Sequence, residues 1–380
     1  MEKEKSSSQK PKTTMKQKLL LILISILVVL FAFEIGIRVH DVFKGRGFFT
    51  NFRNRVANAG NVLPFRTFGP TFYGRENDQV CIRTRYGETY SLPKKEGVYR
   101  IVAFGASTTA NGNCYNQTGD HYPKVLQKLL RQGAGRDNIE VINVGIPGYA
   151  TPHSLILLEL DVLSWQPDMV ILSHNFNDLQ AAYFPDFTPD YANKYSNGFY
   201  GVPNVHQLFS LPNILFQYSQ LYWRAQTEWE NLKVNVRAEF KPVTRKSYGN
   251  APPAAAAQAF ARNLRSFATL AQKNGIQVVL GNQALLPGEE PFVRYMRFKE
   301  YNDEIVYPLH SEFVMHHKRY NQIIKEVAEE TGALFVDNDS ALGANEAYFA
   351  DFIHYTCEGV HQVAQDYAAV ILGSGLLDRQ

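Results

Sequence analysis

The sequence predicts an α/β protein, a three-layer α/β/α sandwich with a parallel five-stranded sheet, behind one N-terminal transmembrane helix. Three observations carry that expectation. From residue 98 onward, short apolar runs rich in Val and Ile alternate with longer segments of helical spacing. The runs are continuously apolar, the pattern of strands covered on both faces. Two helical segments stop at Gly275 and Gly332, directly before the next apolar run. Right-handed crossovers then place helices on both faces of the sheet.

Taken in order, residues 1–14 are polar and Lys/Ser-rich and are expected to be a disordered cytoplasmic tail. Residues 15–39 are expected to be a single-pass signal anchor. The uncharged run from Leu19 to Phe33 holds fifteen residues. As a helix it spans roughly 22 Å, against ~30 Å of hydrocarbon. Continuing through Val39 supplies the length, with Glu34 and Arg38 spaced to pair near the far interface. The lysines ahead of the run place everything after about residue 40 on the extracytoplasmic side. The rival reading is a cleaved signal peptide, for which "FAFEIG" is a poor cleavage site.

Residues 40–97, rich in Gly, Asn, Arg and Phe, read as a stalk and an irregular or β-rich lead-in. Residues 98–380 form the expected main domain. Its strands fall within 98–104, 140–145, 168–175, 276–282 and 333–337, and its helices within 122–130, 151–165, 255–275, 312–332 and 358–372. Two insertions interrupt it: 179–253, dense in Tyr, Phe, Trp, Pro and Asn, and the Pro- and charge-rich 284–311. Both follow strand ends, so both are expected to overhang the C-terminal edge of the sheet as lids, where open α/β folds bind ligands.

The 380 residues carry a formal charge of +3. Residues 1–40 hold seven Lys/Arg against three acids, which leaves 32 against 33 in the remainder. A nearly neutral body gives no reason to expect a nucleic-acid partner. Three cysteines, Cys81, Cys114 and Cys357, allow at most one intramolecular disulfide, and no CxxC metal spacing exists. There is no HExxH, phosphate loop, GxGxxG after a strand or Gly-x-Ser-x-Gly elbow. No metal and no organic cofactor is expected.

What remains is a set of polar residues at strand ends. Ser107 lies in "FGAST" after the first strand of the main domain, and Gly148 in "GIPGYAT" after the second. Asn177 lies in "NFND" after the third, and Asp351 and His354 in "DFIH" before the last helix. Ester cleavage by serine needs an adjacent base, an acid that holds the base in one tautomer, and donors aimed at the oxyanion. Ser107 suits the nucleophile, His354 the base and Asp351 the orienting acid. The N–H groups of Ser107 and Gly148 and the neutral amide of Asn177 suit the oxyanion site.

At these residues the chain resembles the SGNH, or GDSL-type, hydrolase superfamily, whose four blocks carry Ser, Gly, Asn and His in this order. The resemblance covers about residues 98–183 and 254–373. It implies a flavodoxin-like sheet and the same roles for Ser107, Gly148, Asn177, Asp351 and His354. Two positions depart from the pattern: Ala106 stands for the usual Asp of the first block, and Asn175 for the Gly of the third.

The expected activity is that of a membrane-anchored serine esterase hydrolysing a carboxylic ester, an O-acetyl group on an envelope glycan in the first place. The alternatives are an O-acyltransferase of exopolysaccharide modification and an inactive glycan-binding module of envelope assembly. Of the other polar residues, Asp178 is read as structural, His174 as strand-end packing, His316 and His317 as surface residues, and His361 as a helix-face residue. Cys114 and Cys357 follow Ser107 and His354 on loops expected to meet, which makes them a candidate disulfide.

Overall fold

The apolar run near the N-terminus continues into its flanks as one helix, α1 (Met15–Phe43). A capping box starts it: the Thr14 hydroxyl accepts from the Gln17 N–H, and Gln17 Oε1 accepts from the Thr14 N–H. Its large side chains from Leu19 to Phe33 are exposed rather than packed inside the protein. The helix is long and apolar enough to cross a membrane. The computed structural model describes residues 14–44, 48, 71–184, 187–193, 215, 218–226, 228–229, 232, 252–295 and 308–379. The expected tail, part of the expected stalk and much of both insertions lie outside them.

The chain divides into two compact units, Met1–Gly60 with Pro203–Lys241, and Asn61–Val202 with Pro242–Gln380. In the first unit, α1 meets residues 218–224. Glu34 accepts hydrogen bonds from Ser219 Oγ and from the N–H groups of Gln220 and Leu221, at 2.8–2.9 Å. Arg38 pairs with Glu34 at 2.7 Å and donates to the Tyr218 carbonyl at 2.9 Å. Arg224 pairs with the buried Asp41 at 2.6 Å.

The second unit opens with an antiparallel sheet of β1 (Tyr73–Glu76), β2 (Gln79–Arg83) and β3 (Thr89–Ser91). Asn77 and Asp78, both at positive φ, form the two-residue turn between β1 and β2. The parallel sheet follows: β4 (Tyr99–Gly105), β5 (Ile139–Asn143), β6 (Met169–Ser173), β7 (Gln277–Gly281) and β8 (Leu334–Val336). Its order is β5-β4-β6-β7-β8 with every pair parallel. That is the flavodoxin-like order, with a switch point between β4 and its two neighbours. All of β4 is buried, because layers cover both faces. Arg100 in β4 is inside with it, pairing with Glu140 at 2.8 Å and donating to the carbonyls of Trp165 and Ser91. The last of these bonds ties β3 to the main sheet.

After β4 come α2 (Ser107–Ala110), α3 (Gly112–Thr118) and α4 (Tyr122–Ala134). Helix α5 (Thr151–Leu160) follows β5, and α6 (Phe176–Tyr183) follows β6. Then come α7 (Ala254–Lys273), α8 (Glu289–Tyr295), α9 (His310–Thr331), α10 (Asn338–Leu342) and α11 (Cys357–Gly373). One face of the sheet packs Phe104, Leu158, Trp165, Phe267 and Ile324 into a core. The other packs Leu126, Leu130, Val363 and Tyr367. The expected three-layer sandwich is the observed one.

His317 corrects a sequence reading. It is 2 % exposed rather than on the surface, and burial pushes its pKa down to about 3. The amphipathic period of α9 carries it, with Phe313, Tyr320 and Ile324, onto the buried face. His174 is packed at the end of β6, with Nε2 2.7 Å from Ser154 Oγ, and His361 is exposed on α11. Asp178 is wholly buried and accepts from Thr151 N at 3.1 Å and Thr151 Oγ1 at 2.5 Å, a structural bond between α6 and α5.

Candidate active site

Strand β4 ends at Gly105, and the chain turns at once into α2, so Ser107 is the first helical residue. Its N–H therefore has no acceptor within the helix and is free to point outward from the strand end. Helix α2 is held close to the sheet. A Cβ at Gly145 would meet the Ala110 backbone nitrogen at 2.6 Å, so only glycine admits this approach. Asn143 Nδ2 donates to the Thr109 carbonyl, Asn111 Nδ2 to the Thr108 carbonyl and Gln283 Nε2 to Thr108 Oγ1. The serine thus sits on a turn braced from three sides.

His354 and Asp351 lie in the loop before α11. His354 Nδ1 is 2.7 Å from Asp351 Oδ2, and Asp351 Oδ1 accepts the N–H groups of Ile353 and His354 at 2.9 and 2.8 Å. Burial by itself would raise the Asp351 carboxyl. The hydrogen bond and charge of His354 and the two N–H groups outweigh it and hold the pKa below the ordinary carboxylate value. An ionised carboxylate only accepts, so the neutral imidazole carries its proton on Nδ1 and presents a lone pair at Nε2. Tyr295 of α8 meets the imidazole edge-on, with ring centroids 5.6 Å apart.

Ser107 and His354 line one cavity of about 240 Å³, together with Arg85, Asn111, Asn113 and Tyr355. Residues 247 positions apart in sequence therefore share one rim at the C-terminal edge of the sheet. Gly148 does not line this cavity, although its neighbour Pro147 does. Its φ of +86° explains the glycine. Asn177, the second residue of α6, also stands outside the lining, and its Nδ2 donates to the Tyr149 carbonyl at 2.9 Å. That bond ties the Gly148 turn to the start of α6.

The two departures from the family pattern have structural reasons. Ala106 is buried and caps α2 without a side-chain bond. Asn175 is buried completely, and its Nδ2 donates to the His317 carbonyl at 2.9 Å and to Asn321 Oδ1 at 2.7 Å. The amide therefore fastens the end of β6 to α9.

A disulfide joins Cys114 of α3 to Cys357, the first residue of α11, with Cα atoms 4.9 Å apart. It clamps the segment after the serine to the segment after the histidine. Sequence reasoning did not single out Arg85, because residues 41–95 show only weak periodicity.

No curated protein matches the chain. Among solved structures, a catalytic mutant of Axe2, an acetylxylan esterase from Geobacillus stearothermophilus, is similar at 17 % identity and a TM-score of 0.42, covering 74 % of this chain and 96 % of that one. A GDSL-like lipase from Parabacteroides merdae is similar at 15 % identity and a TM-score of 0.42, covering 74 % and 99 %. These likenesses say nothing about substrate. A family model matches residues 103–310, that of the GDSL-like lipase/acylhydrolase family. The chain belongs to that family, and it is a hydrolase of ester bonds.

Proposed function

We propose that the chain is a membrane-anchored serine esterase in which Ser107, His354 and Asp351 form the catalytic triad. The observation that carries this reading is the Asp351–His354 pair, set at 2.7 Å on the rim of the cavity that Ser107 also lines. His354 Nε2 takes the Ser107 proton as Oγ attacks the ester carbonyl, then returns it to the leaving alcohol. Water attacks the acyl-enzyme through the same imidazole. The N–H of Ser107, at the first position of α2, stabilises the oxyanion; Gly148 and Asn177, the other expected donors, stand beside the cavity rather than in its lining.

A cavity of about 240 Å³ shared by acyl group and alcohol favours a short acyl chain, so an acetyl ester is the substrate we assign; a glycan as its alcohol follows from the sequence expectation alone. The test is hydrolysis of p-nitrophenyl acetate, butyrate and octanoate by the full chain in detergent, beside labelling with a fluorophosphonate probe. Acetate should be preferred, with acid released when no acceptor glycan is present. Ser107→Ala should abolish labelling, and Ser107→Ala and His354→Ala should each cost on the order of 10³-fold or more in rate. Folded protein that is not labelled at Ser107 refutes the reading in favour of an inactive module.

A further inference from the structure

We propose that Arg85 forms an anion subsite in the Ser107–His354 cavity, selecting esters that carry a carboxylate or similar oxyanion near the scissile bond. This inference rests on Ser107 being the nucleophile. Arg85 lines the same cavity as Ser107 and His354, and no described residue of that lining is a carboxylate. The lining also carries the exposed amide of Asn113. Arg85 forms no ion pair or hydrogen bond among the described residues; its one contact is the Tyr86 ring, 5.5 Å from the guanidinium carbon.

The carboxylates in these segments are engaged elsewhere. Glu88 accepts from Thr84 Oγ1 at 3.1 Å and lies 3.1 Å from His121 Nε2, and Asp351 holds His354. The cation is therefore left for something outside the protein.

The Arg85 side chain is exposed, but the backbone beside it is held in place. Tyr86 donates its hydroxyl proton to the Ala110 carbonyl of α2, and Tyr115 donates to the Tyr86 carbonyl at 3.2 Å. The Tyr86 ring packs on Tyr115 and His121, with centroids 3.9 and 5.0 Å away. These bonds fix the backbone next to Arg85 onto the helix that bears the nucleophile. A guanidinium fork positioned this way matches a carboxylate with two parallel hydrogen bonds.

The test uses the full chain in detergent and two ester pairs. One pair, 4-acetoxybenzoate and its methyl ester, places the charge on the alcohol side. The other, mono-p-nitrophenyl succinate and its methyl ester, places it on the acyl side. The readout is the ratio of kcat/KM for the anionic ester to that for the neutral one. Arg85→Gln should lower this ratio about tenfold in at least one pair, chiefly through KM. Arg85→Lys, which keeps the charge without the fork, should fall between. Equal ratios in wild type and Arg85→Gln for both pairs overturn the subsite while leaving the nucleophile intact. Failure of wild type to hydrolyse any of the four esters, together with no labelling at Ser107, overturns the nucleophile reading and the subsite with it.

Discussion

Asp351 makes two kinds of bond at once, and they have separable consequences. Its Oδ2 holds the imidazole, while Oδ1 holds the loop through the N–H groups of Ile353 and His354. Asp351→Asn keeps an acceptor for the loop but no longer favours the tautomer with the proton on Nδ1. By analogy with other Ser-His-Asp sites, kcat/KM should fall on the order of 10³–10⁴-fold, read with p-nitrophenyl acetate. The same substitution tests linkage. The native carboxyl titrates below its unfolded value of about 3.9, so its contribution to stability is complete above that pH. It is lost as pH falls through the lower native value. Urea unfolding between pH 5 and 2 should therefore show a shallower acid loss in Asp351→Asn than in wild type.

At the scale of elements, the site depends on keeping α3 and α11 together. The Cys114–Cys357 disulfide closes a long loop between segments that follow the serine and the histidine. Replacing both cysteines with serine should cost about 2–4 kcal/mol of stability in chemical denaturation. It should also lower kcat more than it raises KM, since the nucleophile and base are then less firmly held. Unchanged stability would show that packing alone holds the two helices. The strands and helices of the parallel sheet were legible because their apolar periods are long and regular. Of the antiparallel sheet only a β-rich character was legible, because β1 is short and mostly exposed and β3 has three residues, none fully buried, so neither imprints an alternation. One local signal existed: the Asn77-Asp78 pair suits the turn that joins β1 to β2.

At the scale of the whole molecule, α1 has the length and apolar surface of a membrane span. Its end within the first unit carries bonds that a removable leader would not need. Glu34, Arg38 and Asp41 engage residues 218–224 of the same unit, so removal of the whole of α1 would strip that segment of its partners. The chain should remain in carbonate-washed membranes, and intact mass should include residues 15–43. A soluble product beginning after α1 would show that the helix is a signal peptide.

The α/β class, the five parallel strands, and the places of Ser107, Gly148 and Asn177 after strand ends and of Asp351 and His354 before the last helix were determined by sequence alone. Periodicity and turn chemistry are local properties that neighbouring residues impose on each other. Tertiary structure decided which of those positions share a cavity, that Asn175 and His317 face the core, and that Arg85, in the connection between β2 and β3, lines the cavity of the serine. Each of these depends on packing between segments far apart in the chain, and no local pattern encodes the distance between them.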